Sequence, residues 1–228
     1  MTGVLFVFIL VVVVLAIQLM QAQKDFKAQT DDLSEQIENS SKAETIRKDM
    51  LEEIHDQLES QGIEVVVAQN GSVISIPNDS LGFDRGSYEI KKQYKNKSLA
   101  IGKVIATAIE QHKGTEFLDT VFVEGHTDNA NYKGLEGTGN WGLSTFRAIS
   151  LWKLWEDDLP SNEQLAKMQG PDGNPLFSVS GYGETRPMND DQSTDAGAAA
   201  NRRIDIRFTI MRADSDQLKE IEREVTER

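Results

Sequence analysis

Residues Thr120–Ile149 read TVFVEGHTDNANYKGLEGTGNWGLSTFRAI, and they say more about the fold than any other part of the chain. A short apolar strand comes first, a Gly-rich loop follows, and a helix pattern closes the stretch. Asp128 comes soon after the strand, and Arg147 lies about two turns into the helix. A carboxylate and a guanidinium placed in this way can point into one crevice. Such a pair suits a small zwitterion with an ammonium and a carboxylate group.

The segments around this stretch alternate between strand and helix patterns. Asn70-Gly71 separates two runs rich in Val and Ile, which predicts a hairpin. Residues 90–111 carry apolar side chains at a helical period, residues 177–180 form another strand, and residues 201–211 alternate as a half-buried strand. This order predicts an α+β fold, an α/β sandwich with helices on one face of a small mixed sheet.

Two further segments lack a regular pattern. Residues 77–86 are predicted to form a loop. Residues 157–175 contain Pro and Gly and are predicted to form an irregular insertion, with a short helix at residues 162–168.

The composition excludes several classes of function. The chain has 37 Asp and Glu against 24 Lys and Arg, a net charge of -13, and no cysteine. An acidic protein is a poor partner for nucleic acid, whose phosphates select basic surfaces. Disulfides and thiolate metal sites are ruled out. The sequence shows no nucleophile paired with a base and no zinc triad, so we predict a protein that is not an enzyme and holds no metal or cofactor.

The first residues form an apolar segment. Val4–Ile17 is unbroken, and residues 1–20 as a helix are roughly 30 Å long, enough to cross a bilayer. A signal peptide lacks support because no basic start or small-residue cleavage site is clear. A buried core helix lacks support because no polar face exists. We predict a single transmembrane helix at residues 1–20, and we expect that the natural polypeptide starts upstream, with Met1 an internal methionine.

Residues 21–61 are polar and carry a thin apolar stripe that includes Ile46, Met50, Ile54 and Leu58. They are predicted to form a helical tether with a break at residues 39–41. The stripe can pair with a second copy or pack on the following domain, or the segment can be a solvated linker. A folded domain is predicted at residues 62–212 and a charged tail at residues 213–228.

Several short motifs follow one another in the second part of the chain: FDRGSYEI at 83–90, VEGHTD at 123–128, NWGLSTFRA at 140–148, GYGE at 181–184 and NRRIDI at 201–206. In this order they resemble the peptidoglycan-binding domain shared by OmpA, Pal and the flagellar stator protein MotB. The resemblance covers most of residues 62–211.

The resemblance implies that the domain grips the diaminopimelate residue of a peptidoglycan stem peptide. In the family, the positions that match Asp128 and Arg147 hold that amino acid. By their positions in the motifs, the resemblance also implies four lesser candidates for the binding site, which are Asp84, Asn140, Leu143 and Arg202.

The N-terminal span is similar to that of MotB and of ZorB, the related subunit of Zorya anti-phage systems. This resemblance implies a stator subunit of an ion-driven motor, with its C-terminal domain in the periplasm and its span in the inner membrane. The implied partners are a MotA- or ZorA-like polytopic subunit and a second copy of the chain, as a homodimer. In those motor proteins an ion-carrying aspartate precedes the matching Met-Thr. No Asp or Glu lies in residues 1–20, so we expect that residue upstream.

The sequence leaves open which type of motor the chain serves, and whether it serves a motor at all. The insertion at residues 157–175 and the Gly-rich loop at residues 134–139 favour a ZorB-like defence subunit. The alternatives are a flagellar MotB-type stator protein and a passive tether of the OmpA or Pal kind.

Several of the residues singled out above also have a purely structural explanation. Asp128 can cap a turn, and Arg147 can be a surface residue that pairs with Glu184. His126 is expected to be packed or hydrogen-bonded. The tryptophans can form a ligand face, but core packing and contacts with the insertion are favoured; they are Trp141, Trp152 and Trp155.

Overall fold

Helix α1, Thr2–Ser60, opens the chain in a computed structural model that describes residues 2–68, 70–133, 137–161 and 163–211. The residues up to Lys42 belong to one compact unit, and Ala43–Met211 form another. The predicted tail at residues 213–228 lies outside the described residues. The predicted division into span, tether, domain and tail stays a prediction.

The first unit contains the apolar segment. Side chains from Val4 to Met20 are exposed, with Val4 at 78% and Phe6 at 67%. In the described residues, one helix is long and apolar enough to cross a membrane, with a mean hydropathy of 3.0 over its most apolar window. An exposed apolar surface of this kind is stable in lipid and costly in water.

The predicted break at residues 39–41 is wrong, because these residues lie within helix α1. Asn39, Ser40 and Ser41 disfavour a helix by only a few tenths of a kcal/mol each, about as much as many ordinary residues. Without Gly or Pro, such a segment does not force a helix to end.

The second unit contains a five-stranded mixed sheet in the order β1-β2-β5-β3-β4. Strands β3 and β4 are parallel, and the other neighbours are antiparallel. The strands are β1 Val66–Val67, β2 Val73–Pro77, β3 Leu118–His126, β4 Phe177–Gly181 and β5 Arg203–Ile210. The mixed sheet confirms the predicted fold class.

The helices of this unit differ from the prediction in where they end and in how many there are. They are α2 Asn78–Leu81, α3 Lys95–Gln111, α4 Gly139–Asp158 and α5 Asp195–Asn201. The short α2 lies in the predicted loop, and α5 was not predicted. A 3-10 turn at Lys92–Tyr94 replaces the expected first turn of α3, and another at Leu165–Lys167 replaces the short helix expected in the insertion.

The end of helix α1 is part of the core of the second unit. Met50, Ile54 and Leu58 are fully buried, in one apolar cluster with the residues of the sheet and of α3. This part of the apolar stripe therefore packs on the following domain, which is one of the alternatives left open by the sequence. The apolar core thus begins before Gly62.

Helix α4 approaches the sheet closely at two glycines. A Cβ on Gly125 would overlap the carbonyl oxygen of Ser144, and one on Gly181 would overlap the backbone nitrogen of Thr145. Only glycine permits this contact between backbones. The close packing fixes α4 directly above β3 and β4, and so places the ends of these elements side by side.

The opposite face of the sheet carries a buried charged network. Arg207 donates from Nε to both carboxylate oxygens of Glu124 and from Nη2 to Oε2, the shortest at 2.7 Å. Arg203 Nε donates to Asp205 Oδ1 at 2.9 Å. His126 Nε2 lies 3.1 Å from Asp205 Oδ2. Burial alone would raise the pKa of Asp205, but the contact with His126 and the charge of Arg203 outweigh it and lower that pKa. The buried carboxylates are thus paired, as buried charges require.

The three tryptophans have different surroundings. Trp155 is fully buried, and its Nε1 donates to the carbonyl of Ser98 at 2.7 Å. Trp152 stacks on Phe177. Trp141 is 53% exposed, so the core packing predicted for it is wrong. It lies in the first turn of α4, on the side away from the apolar cluster.

Candidate functional site

Asp128 lies just beyond the end of β3, and its carboxylate is held on two sides. Oδ1 accepts a hydrogen bond from the backbone N–H of Ala130 at 3.2 Å. Oδ2 accepts one from Nη1 of Arg202 at 2.7 Å. The neighbouring Thr127 donates its N–H to the carbonyl of Gly183 at 2.9 Å, which ties this loop to the segment after β4. Asp128 thus caps a turn and also presents a charge.

Arg147 lies on the inner side of α4 and is only 3% exposed. Its Nε donates to the carbonyl of Ser87 at 2.9 Å and its Nη2 to the carbonyl of Asp84 at 3.0 Å. The guanidinium also lies 5.3 Å from the ring centre of Phe83. Arg147 therefore does not pair with Glu184. Its partners are neutral groups of the FDRGSYEI motif.

Within the part of the chain that the structure describes, the charge of Arg147 has no close counter-ion. Among the described residues, no carboxylate lies within 4.0 Å of its guanidinium. Burial lowers the pKa of Arg147 to about 10; Asp128 opposes this change, and Arg202 adds to it. The group stays protonated at neutral pH. A buried cation without an ion partner is costly, and an anionic ligand is one way to offset that cost.

A small cavity of about 50 Å³ joins these groups. Four of the six predicted site residues line it: Asp128, Leu143, Arg147 and Arg202. Leu143 supplies an apolar wall and is 5% exposed. The opposite charges predicted from the sequence therefore face the same cavity.

Asp84 and Asn140 do not line the cavity. The Asp84 carboxylate turns to Lys91, with Oδ1 2.7 Å from Nζ, and raises the pKa of that lysine. Asp84 reaches the site only through its carbonyl, which binds Arg147. Asn140 Nδ2 donates to the carbonyl of Ala130 at 3.0 Å. Both residues position loops around the cavity.

Arg202 is placed by a helix that the sequence pattern did not predict. It directly follows α5, and the preceding Asn201 is fully buried. The Asn201 side chain accepts hydrogen bonds from the N–H groups of Met188 and Asn189 and donates to the carbonyl of Asn189. This buried amide fixes the end of α5, so that Arg202 can reach Asp128.

Sequence reasoning missed several lining residues. They are Arg85, Gly86, Ala130, Asn131 and Tyr132. Arg85 and Gly86 lie inside the FDRGSYEI motif at residues 83–90, so the charge of Arg85 was the available signal. The others lie in the loop after β3, where no pattern predicted that they would face the site.

Two other places in the second unit are weaker candidates for a ligand site. A larger groove of about 660 Å³ lies between α1 and β1, but its polar side chains contact one another, Lys48 with Glu52 and His55 Nδ1 with Asp56. The buried trio Glu124, His126 and Asp205 has donor atoms within 4.8 Å of one another. Its carboxylates are neutralised by Arg207 and Arg203, so we assign it to the stability of the sheet.

The chain matches the OmpA family over residues 82–202. The chain belongs to the OmpA family. All six predicted site residues lie inside this match, from Asp84 to Arg202. The resemblance deduced from the motifs is thereby confirmed at the level of the family. No enzyme family is indicated by this match.

Solved structures show the same fold as this OmpA-family domain. A MotB-like protein from Desulfovibrio vulgaris is 17% identical, with a TM-score of 0.53 over 75% of this chain and 98% of that chain. The periplasmic domain of Helicobacter pylori MotB, residues 90-256, is 20% identical, with a TM-score of 0.52 over 72% of this chain and 91% of that chain. At this identity the similarity shows the fold alone. No curated protein matches the chain.

Proposed function

We propose that this chain anchors a membrane complex to the cell wall by binding peptidoglycan non-covalently. The observation that carries the proposal is the buried Arg147 guanidinium, which faces a cavity together with Asp128 and has no carboxylate partner among the described residues. The ligand is the diaminopimelate residue of a stem peptide. Its carboxylate binds Arg147, and its ammonium binds Asp128. The membership in the OmpA family supports this assignment.

The proposed location is the inner membrane, with one span near the N-terminus and the domain in the periplasm. The exposed apolar surface of α1 supports the span. Peptidoglycan lies outside the cytoplasm, so the domain that binds it must also lie there. The tether then connects the membrane to the wall.

We also propose that the anchored complex is an ion-driven motor of the MotB and ZorB kind. A stator subunit needs a fixed point, and a wall-bound domain provides one while the membrane partner moves. The proposed partners are a polytopic MotA- or ZorA-like subunit and a second copy of this chain. The irregular insertion after α4 supports the ZorB-like form, and a flagellar role or a passive tether are the other outcomes of the test.

Co-purification tests the motor. The tagged chain is extracted from native membranes in mild detergent and its partners are identified by mass spectrometry. A pentameric multi-span subunit supports the motor, and recovery of the chain without one supports a passive tether. The neighbouring genes then separate the motors, because flagellar genes and genes for a helicase and a nuclease indicate different roles.

Exchange of Asp128 for asparagine tests the ammonium half of the site. We expect D128N to weaken binding of the full chain to a murein tripeptide by roughly 10-fold or more, because a charge-assisted hydrogen bond of about 1.5–3 kcal/mol is lost. The measurement is isothermal titration calorimetry in detergent. Asp157→Asn is the matched control, because Asp157 is exposed and does not line the cavity. Equal affinities for D128N and the parent would remove Asp128 from the site.

A further inference from the structure

The cavity has the opposite charge balance from the rest of the protein. Three arginines line it, Arg85, Arg147 and Arg202, and Asp128 is the one acidic residue in its described lining. The whole chain carries 37 acidic against 24 basic residues. A local excess of guanidinium groups on an acidic protein indicates a ligand with more negative than positive charge.

Pairing within the protein leaves part of this excess uncompensated. Arg202 is neutralised by Asp128 at 2.7 Å. Arg147 binds two carbonyl groups, which carry no net charge. Arg85 is exposed and forms no ion pair with the residues that the structure describes. The nearest acidic residue in sequence, Asp84, is occupied by Lys91.

The main chain holds Arg85 at the rim of the cavity. Asp84 and Ser87 close a β-turn, in which the N–H of Ser87 donates to the carbonyl of Asp84 at 3.0 Å. Gly86 has a φ of 68°, which glycine adopts readily at this place in a turn. Arg147 binds the carbonyls at both ends of this turn. The buried arginine of the site therefore also fixes the loop that presents Arg85.

We propose that Arg85 is a specificity-determining residue that binds a second carboxylate of the stem peptide. This inference rests on the proposed function and deepens it. The free end of the diaminopimelate side chain brings one ammonium and one carboxylate, so this end alone leaves the excess charge of the site unchanged. The neighbouring D-glutamate, linked through its γ-carboxyl group, brings a free α-carboxylate. The site then prefers stem peptides with this free acid to those in which it is an amide.

Two synthetic peptides test the preference on the full chain in detergent. They are L-Ala-γ-D-Glu-meso-diaminopimelate and the same tripeptide with the α-carboxylate of D-glutamate amidated. We expect the parent to bind the free acid roughly 5-fold more tightly, as for one partly exposed ion pair. R85Q should bind both peptides equally. Lys92→Gln, which removes an exposed charge outside the cavity lining, should keep the preference.

The outcomes separate this inference from the proposed function. Equal binding of both peptides by the parent overturns the inference and leaves the proposed function intact. A preference that persists in R85Q shows that another group makes the discrimination, and it removes Arg85 from this role. Failure of the parent to bind either peptide overturns both proposals.

Discussion

We expect that replacement of Arg147 by glutamine (R147Q) abolishes retention of the protein on murein sacculi. The substitution removes the one buried cation among the described residues that line the cavity, and both of its hydrogen bonds to the turn at residues 84–87. Loss of a charge-assisted bond to the ligand costs about 1.5–3 kcal/mol, which corresponds to roughly a 10- to 150-fold weaker affinity. The measurement is co-sedimentation of the full chain with sacculi, followed by calorimetry with the tripeptide.

Arg147→Lys separates charge from geometry. Lysine keeps the positive charge but lacks the planar fork that reaches Ser87 and Asp84 together. We therefore expect intermediate affinity and a less stable domain. Arg47→Lys is the control, because Arg47 also donates its Nε to a backbone carbonyl, that of Gly71, and lies away from the cavity. If R147Q remains folded and sediments with sacculi like the parent, the proposed site is wrong.

The second large effect is expected for stability, at Gly125. In G125A the new methyl group overlaps the carbonyl oxygen of Ser144 in α4, and neither backbone can move without separating the helix from the sheet. We expect a loss of about 3 kcal/mol or more, which lowers the Tm of the domain by roughly 10 °C. Differential scanning calorimetry of the full chain in detergent measures it.

Gly170→Ala is the matched control for this substitution. Neither Gly125 nor Gly170 has a positive φ, so the change in backbone freedom is the same for both. The nearest atoms to a Cβ on Gly170 lie 3.4 Å away, which is an ordinary contact distance. A Tm of G125A equal to that of G170A would show that α4 does not pack on β3 as described.

The regular elements could be predicted because their signals are local. Strand β3 is an apolar run, β5 alternates between apolar and polar residues, and α3 repeats its apolar side chains at a helical period. Helix α5 was missed because its sequence, DAGAAAN, has no large apolar residue from which a period can be detected. Its start is marked only by Thr194, whose side chain accepts from the N–H of Gly197.

The extent of the core also depended on packing. Met50, Ile54 and Leu58 show the same spacing whether they face a second copy or the sheet. Only the folded chain buries them in the apolar cluster of the domain.

By itself, the sequence determined the fold class, the family and the two opposite charges, since each depends on residue type and on short spacing along the chain. Tertiary structure decided which groups meet those charges. It paired Asp128 with Arg202 across 74 positions, turned the Asp84 carboxylate to Lys91 and placed Arg85 at the rim. Such contacts join segments that are distant in sequence, and their geometry arises only when the sheet brings the loops together.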